Sequence, residues 1–150
     1  MKFILTSELN KLAKKLRFLG YNSTVSRSLS SHTTIRIAIK EERILLTRSV
    51  KLAKDKRCFT RILLVDDEPA DQLRYLFHEL KLNHDNIFTR CPDCNSELQN
   101  IPVEKVGITL PAKVLANYSE FKVCRKCGKY YWKGTHYEKT LALAQDYMKS

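Results

Sequence analysis

Four cysteines in two equal spacings, Cys91-Pro-Asp-Cys94 and Cys124-Arg-Lys-Cys127, are the residues of this chain best suited to chemistry. A C-x-x-C carries two sulfurs on one tight turn, and a second such turn completes the tetrahedral thiolate cage that zinc prefers. With four protein ligands, Zn2+ at Cys91, Cys94, Cys124 and Cys127 is closed to substrate, so the expected site holds shape. A redox C-x-x-C needs no second copy further along the chain. A disulfide framework suits a secreted chain, yet Lys11, Lys14, Lys15 and Arg17 interrupt any apolar leader core in residues 1–20. Paired thiols without an export signal point to a reducing cytoplasm or nucleus. Cys58 lies outside both knuckles and reads as a small, partly buried apolar residue.

The formal net charge is +11 and the pI is near 9.5. Basic residues outnumber acidic ones in both residues 1–85 and residues 86–150. Such an excess concentrates polyanions, which favours nucleic acid, RNA or DNA, over simple solubility or an acidic protein partner. Lys11, Lys14, Lys15 and Arg17 with Arg48, Lys51 and Lys54 form one set able to track a phosphate backbone, although each alone reads as solvated surface. Arg125, Lys126, Lys129 and Lys133, interleaved with Tyr130, Tyr131 and Trp132, form another. There, aromatic faces can stack on unpaired bases while the cations meet phosphates. A small ribbon must also pack rings beside its metal, and Trp132 is assigned to that task while Tyr130 stays open. His136 reads as a capping residue, and His32 and His78 as ordinary polar residues. The sequence contains no Gly-rich phosphate loop and no serine-nucleophile elbow. No apolar run approaches the roughly 20 residues of a membrane span.

The elements that must position these residues are legible from periodicity. Met1 to Leu5 predicts a short buried strand, and Ser7 a cap for a helix with Leu9, Leu12, Ala13, Leu16 and Leu19 on one face, ended by Gly20. Thr33 to Glu42 predicts a second helix leading into the strand Arg43 to Thr47. Val50 to Lys54 predicts a short helix before the most apolar strand, Arg61 to Val65. Asp66, Asp67, Glu68 and Pro69 then make the turn and cap of a helix from Asp71 to Leu82. Continuous apolar strands joined by amphipathic helices predict a three-layer α/β domain with a central parallel sheet over residues 1–86. Residues 87–150 predict a small ribbon: irregular from Ile101 to Val106, a short helix opened by Pro111, a strand Tyr130 to Trp132, and a terminal helix with Tyr137, Leu141, Ala144 and Met148 on one face.

In order and spacing, these landmarks resemble the Mut-seven C-terminal ribonuclease-domain family, a PIN-like α/β nuclease domain with a C-terminal zinc ribbon. The likeness rests on Phe3-Ile4-Leu5, Lys11-Leu12-Ala13, Leu16 to Tyr21, Arg43 to Arg48, Gln72-Leu73-Arg74, both knuckles, and Tyr131 to Tyr137. The resemblance implies carboxylates at the C-terminal ends of the parallel strands, holding Mg2+ or Mn2+ to cut RNA. It places Thr6 and Ser49 where Asp is expected, and Ser28, Leu29, Ser30, Ser31 and His32 where an acidic stretch is expected. A neutral hydroxyl ligates magnesium poorly, so two-metal binding should be lost. Asp66 and Asp67, with Glu68 and Asp71, remain as a residual acidic cluster that either holds one metal weakly or caps the following helix. Glu8 is a possible stand-in ligand or a solvated helix residue. Three functions follow. The first is a non-catalytic RNA-binding protein on a nuclease scaffold, serving a ribonucleoprotein such as the ribosome. The others are an active metal-dependent endoribonuclease using Asp66 or Asp67, and a protein-interaction adaptor.

Overall fold

Strands β1 (Lys2–Leu5), β2 (Asn22–Val25), β3 (Ile44–Thr47) and β4 (Arg61–Leu63) pair in parallel in the order β2-β1-β3-β4. This computed structural model describes residues 1–28, 30–107 and 109–150, so Leu29 of the expected acidic stretch lies outside the described residues. Side chains alternate across a strand, and the alternation here feeds two cores. Phe3, Leu5 and Leu46 enter the layer of α1 (Asn10–Phe18) and α4 (Pro69–Leu80), beside Leu12, Leu16 and Leu76. Ile4 and Leu45 enter the layer of α2 (Ser31–Lys40) and α3 (Val50–Ala53), beside Ile35, Ala38 and Leu52. The three-layer expectation therefore holds, and Phe3, Ile4, Leu5, Leu45 and Leu46 are fully buried because helices cover both sheet faces.

Several local expectations differ. β2 was not expected as a strand, since Asn22, Ser23 and Thr24 lack the apolar run of a central strand; it forms the sheet edge beside β1. Ser7 opens a 3-10 turn, Ser7–Leu9, and α1 starts beyond it with Leu9 as its N-cap. α4 starts at Pro69 and stops at Leu80, where Lys81 turns left-handed at φ 52°. Two serines standing at expected acidic positions serve as helix caps. Ser30 Oγ accepts from Thr33 N–H at 3.5 Å and Ser49 Oγ from Leu52 N–H at 3.2 Å.

Gly20 ends α1 at φ 94°, and a Cβ built there would lie 2.1 Å from the Asn86 carbonyl oxygen. Both the backbone conformation and the contact exclude a side chain. Gly20→Ala is expected to cost about 3 kcal/mol, read as a lower denaturant midpoint at unchanged m-value.

The second sheet is antiparallel, β5 (Gln99–Ile101), β6 (Phe121–Val123) and β7 (Tyr130–Trp132) in that order. Its core is Ile101, Val106, Phe121 and Val123, with Trp132 packed against them. The stretch expected to be irregular contributes the end of β5 and a 3-10 turn, Val103–Lys105. Pro111 is the N-cap of α5 (Ala112–Asn117), one position before the first helical turn proper.

The terminal helix α6 (Thr135–Lys149) buries Ala144 and Tyr147, whereas Met148 of the expected stripe is exposed. Tyr147 meets the Phe77 ring edge-on at 5.6 Å between centroids. Ala144 and Tyr147 thus join the core of α1 and α4, so the helix expected to accompany the ribbon packs on the parallel-sheet layer. Residues three apart share a helix face, and the partner α4 selects which of two apolar stripes is covered.

Candidate metal centre and strand-end site

The four thiols converge, with every Sγ within 4.8 Å of the others. Cys91 Sγ and Cys127 Sγ lie 3.8 Å apart. A tetrahedral site with metal–sulfur bonds of about 2.3 Å has sulfur–sulfur edges of about 3.8 Å. The knuckles share a backbone device. Asn95 at φ 64° and Gly128 at φ 77° each follow the second cysteine, and their N–H groups return to the Cys91 and Cys124 carbonyls at 2.9 and 2.7 Å. This curls each first cysteine's sulfur back over its own turn, where Cys94 N–H donates to Cys91 Sγ at 3.4 Å.

Polar partners complete the site. The Ser96 hydroxyl lies 3.2 Å from Cys124 Sγ and the Tyr131 hydroxyl 3.1 Å from Cys91 Sγ. Burial, then the Cys91 sulfur, pushes the Tyr131 phenol up, so the hydroxyl keeps its proton. Burial and the neighbouring thiols push Cys94 up to about 12. Burial also opposes a Cys124 thiolate, but the Ser96 hydroxyl and the Cys127 and Lys126 N–H groups outweigh it and bring Cys124 down to about 6. Thiolates at this separation need a shared cation, and a four-sulfur donor set fits a soft divalent metal such as zinc.

The first knuckle is docked onto the parallel-sheet domain by Arg17. Arg17 is 8% exposed as a residue; its Nε donates to the Ser23 carbonyl at 2.7 Å, and its Nη1 to the Pro92 and Asp93 carbonyls at 2.9 and 3.3 Å. Burial lowers its pKa, against the opposing charges of Cys91, Asp93 and Cys94. Expected as a phosphate contact, Arg17 is instead an interior strut, because α1 turns it inward under the knuckle. Asn95 reinforces the seam, accepting from Ser23 N–H at 2.9 Å and donating to Asn22 Oδ1 at 3.0 Å. Lys129 and Lys14 both pair with Asp93, the latter at 2.9 Å, and hold its carboxyl below the usual range. Lys11, Lys51, Arg125 and Lys126 are exposed, and Lys15 is half-buried.

At the C-terminal ends of β1 and β3, Thr6 and Ser49 stand where the resemblance implies acids, with Arg48 beside them. Thr6 Oγ1 donates to Glu8 Oε1 at 2.5 Å and lies 3.3 Å from Thr47 Oγ1, which accepts from Ser49 N–H at 3.0 Å. Arg48 N–H lies 3.4 Å from Glu8 Oε1, and the Arg48 guanidinium pairs with Asp67 and reaches the Val65 carbonyl at 3.5 Å. Asp66 is exposed and presents only its carbonyl to the protein, which accepts from the buried Gln72 amide at 2.8 Å. Neither aspartate caps α4; the N-cap is Glu68, without a side-chain bond. Among the described residues, the four-cysteine group is the one set of three or more His, Cys, Asp or Glu placed to share a metal.

Other residues fall plainly. Cys58 is buried, its thiol 3.5 Å from the Thr60 carbonyl and pushed up by burial. His32 lies beside Arg57 at 3.1 Å and His78 beside Ser150 at 3.4 Å, so the two are not a pair. His136 does not cap α6, whose N-cap is Gly134; its ring meets Phe18 edge-on at 4.8 Å. There it lines a cleft of about 500 Å³ between α1, α5, β7 and α6, walled by Phe18, Tyr118, Tyr130, Trp132 and Tyr137. Sequence periodicity offered no signal for this cleft, since its walls come from four separate elements.

A four-strand parallel sheet with helices and an antiparallel ribbon with a four-thiol group make this an α/β protein with a candidate metal centre. The chain belongs to the Mut7-C RNAse domain family, whose sequence model matches residues 1–143. No curated protein and no solved structure shows a significant match to it. No helix among the described residues is long and apolar enough to cross a membrane.

Proposed function

We propose that this protein binds RNA on a ribonuclease-family scaffold whose catalytic carboxylates are largely lost, within a ribonucleoprotein of a reducing compartment, with structural zinc in the ribbon. The observation that supports the reading is the strand-end site, where Thr6 and Ser49 stand where the resemblance implies Asp, and Arg48 pairs with Asp67 beside them. An arginine already neutralising Asp67 opposes a second cation there. Phosphate contacts need only charge; Lys11, Lys51 and Lys126 are exposed, Lys15 is half-buried, and Arg125 is exposed while its Nε donates to Gln99 Oε1 at 3.2 Å.

Incubation with single-stranded and structured RNAs in Mn2+ is expected to give binding without cleavage. Affinity should fall with salt by roughly 0.7 log units per log unit for each single-strand phosphate contact. Lys11→Glu with Lys15→Glu and Lys51→Glu should flatten that slope. Robust cleavage that disappears in Asp66→Ala, Asp67→Ala would establish an endoribonuclease instead. A salt-insensitive association with a protein would establish an adaptor.

A further inference from the structure

The basic surface accounts for attraction to any polyanion, but the cleft between the ribbon and α6 has a different chemistry. It holds about 500 Å³ and is walled by aromatic rings from four elements. Lys113 stands on its lining, and Lys133, paired with Glu120 at 3.2 Å, holds its Nζ 5.6 Å from the centre of the Tyr137 ring, which also lines it. Phe18 already holds His136 edge-on at 4.8 Å, and Phe88 holds Tyr137 edge-on at 5.4 Å, so these walls are set before anything enters. Gly134 is buried where a Cβ would come within 2.9 Å of Trp132 Nε1 and 3.7 Å of the Tyr118 hydroxyl. A side chain at residue 134 would fill the space in front of two hydrogen-bonding groups. Among the described residues neither group, nor the His136 imidazole, has a hydrogen-bond partner, and none is sealed from solvent.

We infer that this cleft receives one unstacked nucleobase of single-stranded RNA, with the adjoining phosphate met by Lys113. The inference rests on the RNA-binding reading and deepens it by naming the substrate class. Flat aromatic walls match the π-face of a base, and the indole N–H, phenol and imidazole match its polar edge. An aliphatic lipid or a protein's leucine would fill the volume but leave those polar groups and Lys113 unused. Duplex RNA keeps its bases stacked and paired, so it has nothing to insert.

Trp132 is the only tryptophan of the chain, which makes its emission a reporter for the cleft. Single-stranded oligo-adenylate of eight nucleotides is expected to quench it saturably, while an eight-unit abasic ribose-phosphate strand binds at least tenfold more weakly and leaves emission unchanged. Tyr130→Leu, which retains apolar volume but removes a stacking face, should weaken oligo-adenylate roughly tenfold and leave abasic binding as it was. Its circular dichroism and metal content should match the parent, which separates the effect from misfolding. Equal binding of intact and abasic strands, without quenching, would leave the RNA-binding reading standing and overturn the base cleft, assigning it to an apolar side chain of a protein partner. Binding of neither strand at low salt would overturn both.

Discussion

Cys91→Ser and Cys124→Ser are each expected to abolish stoichiometric metal binding and to unfold the ribbon. Structural zinc contributes about 10–16 kcal/mol of apparent binding free energy in small tetrathiolate and related modules, because the site does not exist in the unfolded chain. The ribbon core of Ile101, Val106, Phe121 and Val123 is too small to offset such a loss. These two cysteines are buried, and each carries an added hydroxyl partner, from Tyr131 or Ser96, that a shorter serine oxygen would not meet at sulfur distance. Metal analysis should fall from one zinc per chain to none, and a chelator should reproduce the unfolding in the parent protein. Acidification should do the same, since the ligands bind only as thiolates and protons compete for all four. The parallel-sheet core should outlast the ribbon, giving two transitions. One cooperative transition unaffected by chelator would refute a structural metal.

Arg17→Ala is expected to destabilise the protein by about 3 kcal/mol and to free the first knuckle from the sheet. The substitution strands three carbonyls, of Ser23, Pro92 and Asp93, at a seam where the guanidinium is the common donor. Each hydrogen bond from a charged donor is worth about 1.5–3 kcal/mol, partly recovered if water enters. Arg17→Lys should recover little, because a lysine ammonium cannot span carbonyls on both sides with a planar fork. Hydrogen exchange should show faster opening at Ser23 and Asn95, whose N–H groups hold the seam or its turn, while zinc stays bound. Weaker RNA binding with unchanged stability and exchange would instead put Arg17 on the phosphate-facing surface.

Arg17 also shows where reading the chain reaches its limit. Its neighbours Leu12, Ala13, Leu16 and Leu19 follow helical spacing, and all are buried as expected. Arg17 itself looks like one more surface cation, and its burial depends on carbonyls more than seventy positions away along the chain. β2 is similar: polar Asn22 to Thr24 carry no strand signal, and pairing with β1 supplies the backbone hydrogen bonds that make them one. Ser49 stood out only against the acid that the resemblance implies, and its part as the cap of α3 depends on where the helix begins.

The amino-acid sequence alone determined the layered α/β order and the two equal cysteine spacings that bring four thiols together. Those depend on residue type and on spacings of two, three or four, which local geometry enforces. Only the tertiary structure decided that Arg48 meets Asp67, that α6 returns to α4, and that Phe18, Tyr118, Tyr130 and His136 share one cleft. Contacts between distant segments are selected by how whole faces pack, and that selection minimises a free energy of the assembled molecule that no local spacing records.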